Sequence, residues 1–170
     1  MEEDKMLYLK SFLDRTKINL EQYVEFVKKR EQKVRSHYSE TFERIDSNQF
    51  VEMILVDAAF VIELLCRNFC RKEIDKDDHI FHKPLKLSDI RYDMMLLENQ
   101  LPFFIFEDLF PLTKLNVHRS NERIALIKIT YKFFQAKAYL GEETKILEKI
   151  GDSDIKHFVD FFRQCHVPTQ

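Results

Sequence analysis

Glycine is nearly missing from this chain: only Gly141 and Gly151 occur among 170 residues. Glycine supplies the positive-φ positions that tight hairpins and phosphate-cradling loops require. Its scarcity argues against a β-sandwich, a dinucleotide-binding α/β domain or a P-loop enzyme. Cysteine is sparse and odd in number, with Cys66, Cys70 and Cys165 in no disulfide-scaffold spacing, so a reducing compartment is the default. Charge of one sign is lacking too. The formal net charge is −2, without the basic excess that a nucleic-acid partner demands, and no nucleic acid is expected. The residues Lys28, Lys29, Arg30, Lys33 and Arg35 read as a solvated helix face rather than a lipid- or phosphate-binding patch. Long apolar runs are absent: Val51–Cys66 is interrupted by Glu52, Asp57 and Glu63, whereas a membrane span needs about 20 largely uncharged residues. The acidic start, Met1–Asp4, is no signal peptide.

What is present is apolar residues at helical spacing. Hydrophobic side chains make up 45% of the chain and charged ones 33%, a globular balance. Lys5–Arg15 predicts a short helix with Leu9, Phe12 and Leu13 on one face. Asn19 predicts an N-cap, followed by Leu20, Tyr23, Val24 and Val27 at i, i+3, i+4 and i+7, with Val34 extending the stripe. The cluster Asp46, Ser47, Asn48 and Gln49 opens a long helix over about residues 48–69, apolar over most of its circumference and therefore central. A polar connection over 72–84 follows, then a helix capped by Ser88 and running to about Asn99. Pro102 suits the first turn of a helix bearing Phe103, Phe104, Phe106 and Phe110. Ser120 or Asn121 caps the next, with Ile124, Ile127, Tyr131, Phe134 and Ala138 on one face and Gly141 as its stop. A turn leads to Gly151, Asp152 and Ser153. The last helix carries Ile155, Phe158, Val159 and Phe162, with Pro168 beyond it. The reading is all-α: a multi-helix bundle around a central hydrophobic helix, one helical domain over residues 1–170.

Constellations that carry chemistry are few. Cys66, Cys70, His79 and His82 are zinc-ligand types, but the pairs are too closely spaced, and core and loop residues are the simpler reading. Asp75, Asp77 and Asp78 resemble the start of a calcium loop, yet Ile80 stands where glycine is needed and Lys86 where a bidentate glutamate is needed. An acidic solvated turn is expected instead. No metal, cofactor or catalytic set is assigned. Asp57 is displaced from the Glu52 and Glu63 face toward the apolar side of its helix, so it needs a partner. In Asp93–Phe104 (DMMLLENQLPFF), three polar residues are enclosed by apolar ones and then a proline. The turn there must satisfy the last carbonyls of one helix and the first N–H groups of the next. Asp57, Arg91, Asp93, Glu98, Asn99, Gln100 and Pro102 are therefore the candidate residues, expected to form a buried polar network that fixes helix register. The rival reading makes Asp57, Asp93 and Glu98 an acid/base set of an enzyme.

These stretches resemble a known family. Phe50–Leu65 (FVEMILVDAAFVIELL) and Asp93–Phe104 are similar to two signature stretches of the plant family called domain of unknown function 247, the second matching its DllLLENQlPff motif. Asp77 and Asp78 before Ile80 and Phe81, His157–Arg163 with Pro168, and Met1, Glu2, Lys5, Tyr8, Leu9, Phe12, Leu13 and Arg15 resemble further family segments, in order. Ala58 departs from the family's usual glycine. The resemblance implies a fragment of a longer protein, lacking an N-terminal segment, a strand-bearing region and a single C-terminal transmembrane helix. It implies a protein-interaction, recognition or signalling module of a membrane-anchored parent, not an enzyme, with no residue roles to carry over. A nonfunctional truncated gene remnant is a further alternative. The chain itself is expected to be soluble, with an unknown protein partner and no small-molecule substrate, and to contact a membrane only through the absent segment. Helix faces left uncovered by the absent segments would favour self-association.

Overall fold

The computed structural model describes residues 1–38, 45–115, 121–136, 140–151 and 153–166. Among these residues there are nine α-helices and no strand, an all-α multi-helix bundle. Expectations involving residues 116–120, Ala138, Asp152 and Pro168 lie outside the described residues. No helix among the described residues is long and apolar enough to cross a membrane. The chain divides into two compact units, Met1–Glu63 and Leu64–Gln170.

The first unit holds α1 (Glu2–Thr16), α2 (Leu20–Lys28), α3 (Glu31–Arg35) and most of α4 (Ser47–Phe69). Helix α1 places Glu2, Glu3 and Asp4 in its first turn and Arg15 in its last, matching the helix dipole. It ends at Lys17, which takes the left-handed conformation. Asn19 caps α2 as its sequence position indicates, its side chain accepting from the Gln22 N–H. The stripe from Leu20 to Val34 is split between two helices. Arg30 donates to the Phe26 carbonyl and lies 3.5 Å over the Phe26 ring, which satisfies one of the last carbonyls of α2 and ends it. Tyr23, Val27 and Val34 are buried; Leu20 and Val24 are exposed. Asp46 opens α4 by accepting from the Asn48 and Gln49 N–H groups. Ring contacts of Tyr8 with Phe60 and of Phe12 with Tyr23, each at 5.1 Å, tie α1 into this core. Within α4 the side chains of Ile54, Leu55, Ala58, Ala59, Ile62, Leu64, Leu65 and Cys66 are almost fully buried, which explains its apolar circumference.

The second unit holds the end of α4, α5 (Pro84–Asp93), α6 (Phe103–Leu109), α7 (Glu122–Phe134), α8 (Glu143–Ile150) and α9 (Phe158–His166). Helices α6 and α7, α7 and α8, and α8 and α9 pack in sequence. Helix α5 begins four residues before the expected Ser88 cap, because Pro84 sits in its first turn where its missing N–H costs nothing. Ser88 is buried inside it instead. It also ends earlier, at Asp93, and Leu97–Asn99 forms a separate 3₁₀ turn. Asn121 caps α7 where the sequence places it, whereas Pro102 stands as the N-cap of α6, one position before the first turn that the sequence suggests. Helix α7 ends at Phe134, before Gly141, which adopts φ 87° in the following turn. The span read as a turn before Gly151 contains α8, whose Ile146 and Ile150 are buried. Helix α9 starts at Phe158 rather than Ile155. The core is phenylalanine-rich: Phe158 contacts Phe103, Phe106 and Phe134 at centroid distances of 5.8, 4.9 and 5.7 Å, and Phe134 meets Phe162 at 4.7 Å.

Candidate functional site

The enclosed polar run after α5 resolves into a capping device centred on Gln100. The end of a helix leaves carbonyls without intrahelical partners. Asn99 donates from Nδ2 to the Asp93 carbonyl at 3.1 Å. Buried Gln100 donates from Nε2 to the Met94 and Leu96 carbonyls at 2.9 and 2.6 Å. Its Oε1 accepts from the Val159 N–H at 3.3 Å, one of the first N–H groups of α9. One side chain thus caps two elements 59 positions apart. The Phe103 N–H donates to the Lys156 carbonyl at 2.8 Å and holds the start of α6 to the same stretch. Just beyond, Asp160 accepts from the Lys156 N–H and from Arg163 and Gln164, and His157 Nδ1 accepts from the Asp160 N–H. Burial pushes Asp160 upward, but these donors together hold its carboxyl below the usual range. Burial and Lys156 push His157 down, against the opposing pull of Asp160.

The other candidates have partners of their own. Asp57 is half-buried and pairs with Lys5 Nζ at 2.7 Å. Burial opposes the Lys5 charge, but Asp57 outweighs it and the Lys5 amine is held above its ordinary value. Nearby Tyr38 is pushed up to about 12, by burial first and by the Asp57 charge second. Asp93 and Glu98 are exposed, and Pro102 is buried beside the α6 start. The buried carboxylate of α4 is Glu63, not Asp57. Arg15 grips both Glu63 oxygens, Nε at 2.8 Å and Nη2 at 3.0 Å, a bidentate fork that suits burial. That partner lies 48 positions away, so no local pattern announces it.

The sequence reading also missed Asp78. The stretch read as an acidic solvated turn buries this carboxylate, which accepts from the Ile80 and Phe81 N–H groups and from Arg67 Nη1 at 2.7 Å. This is an Asx-turn locked by a cation, and the Asp-x-Ile-Phe pattern was its available signal. Among the described residues Cys66, Cys70 and Cys165 form no disulfide, and no three His, Cys, Asp or Glu side chains gather into a metal-ligand group.

Arg91 forms part of a cleft of about 380 Å³ lined by Asn68, Phe69, Arg71, Arg91, Lys132, Gln135 and Ala136. Arg91 is buried; its Nε donates to the Phe133 carbonyl at 3.0 Å and its Nη2 to Asn68 Oδ1 at 3.3 Å. The guanidinium lies 4.6 Å from the centre of the Phe133 ring. Burial, with the nearby charge of Arg71, lowers its pKa. Lys132 is half-buried and pairs with Glu143.

Comparison with known proteins follows the same course as the motifs. The family model for domain of unknown function 247, described as "Plant protein of unknown function", matches residues 1–170. A UPF0481 protein of Arabidopsis thaliana is 30% identical over 172 residues, covering 99% of this chain and 34% of that protein. The chain spans about a third of the length of this curated relative. No solved structure matches.

Proposed function

This chain belongs to the plant family domain of unknown function 247, and from that premise we propose that it is a protein-recognition module of a larger, membrane-anchored parent. The observation that carries the reading is a run of exposed apolar side chains on α5 and the turn after it. Leu85 is 80% exposed and Leu97 70%, with Tyr92 and Leu96 exposed as well. Leu85 and Tyr92 are seven positions apart and share one helix face. Apolar side chains left exposed along one helix face are of the kind that contact surfaces present. The occupant is a partner polypeptide presenting apolar side chains of its own. The parent's anchor, as the family resemblance implies, lies outside these 170 residues.

The enzyme reading requires Asp57, Asp93 and Glu98 to share a pocket. Asp57 is engaged by Lys5, and Asp93 and Glu98 face solvent, which favours recognition. Sedimentation and hydrophobic-dye fluorescence test the proposal. The chain without its partner is expected to self-associate or bind the dye, and Leu85→Ser with Leu97→Ser is expected to suppress both. A wild-type chain that sediments as a monodisperse monomer and leaves the dye silent would sink the reading.

A further inference from the structure

The cleft around Arg91 makes a separate case, independent of the α5 surface. Three cations, Arg71, Arg91 and Lys132, line one cavity with the amides of Asn68 and Gln135. Among the described residues, neither Arg71 nor Arg91 is paired with a carboxylate. The bonds of Arg91 go to a backbone carbonyl and a side-chain amide, both neutral. Buried charges are ordinarily paired, because taking a guanidinium out of water without a counter-charge is costly. Glu143 answers Lys132, but it also lies 4.0 Å from Lys128, so its charge is shared. The C-terminal ends of α4 and α7 border the cleft and contribute roughly half a negative charge each, which still leaves an excess of about +1.

We propose that this cleft binds a small organic phosphomonoester, whose phosphate supplies the counter-charge that Arg91 and Arg71 lack. A phosphomonoester carries about −1.5 to −2 at neutral pH and matches the planar donor fork of arginine. The two amides add donors for its remaining oxygens. Small-molecule pockets begin at about 300 Å³. The 380 Å³ here exceeds the needs of a bare phosphate and sits at the lower end of that range. Phe69 and Ala136 offer an apolar wall for the ester's carbon body.

The test uses the full 170-residue chain, titrated calorimetrically with glycerol 3-phosphate and with inorganic phosphate at constant ionic strength, sodium chloride being the reference. Saturable one-to-one binding is expected, tighter for the ester. Arg71→Ala is the informative variant: Arg71 is exposed, and Arg91 is left intact because its bonds to Phe133 and Asn68 are structural. Arg71→Ala is expected to weaken binding by about ten-fold, the loss of one charge-assisted contact, while Lys10→Ala on an exposed face of α1 leaves it unchanged. The proposal is overturned by heats no larger than those of sodium chloride, or by equal affinity in the Arg71→Ala and Lys10→Ala variants. Inorganic phosphate binding as tightly as the ester overturns the organic part of the assignment.

Discussion

Gln100 and Glu98 differ by one non-hydrogen atom in their side chains and stand two positions apart, yet they do opposite work. Gln100 is buried with both amide hydrogens directed at carbonyl oxygens and its oxygen at an N–H group; Glu98 faces solvent. Gln100→Glu keeps the shape but replaces two donors with an acceptor beside two other acceptors. Leaving buried groups unsatisfied costs about 1–3 kcal/mol each, so Gln100→Glu is expected to lose at least about 2 kcal/mol in chemical denaturation. Glu98→Gln should stay within about 0.5 kcal/mol of the wild type. Equal stability of the two variants would remove Gln100 from its capping role. The enclosure of polar residues by apolar ones made this turn legible from sequence. The choice of Glu63 over Asp57 as the buried carboxylate was not legible, because Arg15 reaches it from another helix.

At the scale of helices, starts marked by a side-chain cap were readable; Pro102 announced α6 without one, but the starts of α5 and α8 were missed. Asn19, Asp46 and Asn121 each accept from N–H groups in the first turn of the helix they open. Asn121→Ala should therefore lower stability by about 1 kcal/mol, read as a shift of the denaturation midpoint at unchanged slope. No shift would mean that α7 is held by packing alone. Helix α8 had no such signal: its N-cap, Glu142, makes no side-chain cap bond. Only Ile146 and Ile150 of its eight residues are buried, too short a pattern to declare a period. Its end is fixed by tertiary packing. A Cβ on Gly151 would come within 2.8 Å of the Leu147 carbonyl oxygen of α8 itself and of Ile124 Cδ1, the flexible tip of an α7 side chain, and the backbone oxygen is what favours glycine here.

Across the whole molecule, the titrating groups set a window of stability. Besides Arg91, three groups have folded pKa values below their ordinary ones. For Glu31 the cause is the Ser47 hydroxyl first, opposed by burial and aided by Arg35; His157 and Asp160 were described above. Their contributions are present above the unfolded values and are lost as pH falls, first through His157 below about 6.5 and then through the carboxylates below about 4.5. Four groups are raised: Lys5, Tyr23 and Tyr38, the two phenols chiefly by burial, and Cys165, the thiol being pushed up to about 12 by burial against the pull of Lys149. Their contributions are present below the unfolded values and are lost as pH rises, first through Cys165 above about 8.5. Melting temperature should hence be highest between about pH 7 and 8.5 and fall on both sides. Cys165→Ala should delay the alkaline fall; an alkaline limb unchanged by that variant would show that the thiol does not set it.

The burial of two cysteines has a practical consequence. Cys66 and Cys165 are enclosed and Cys70 is half-exposed. A thiol-reactive fluorophore used at neutral pH therefore meets one accessible address, immediately before Arg71 at the mouth of the cationic cleft. The native chain offers an attachment point for an optical reporter beside that cavity, with no residue engineered to create it.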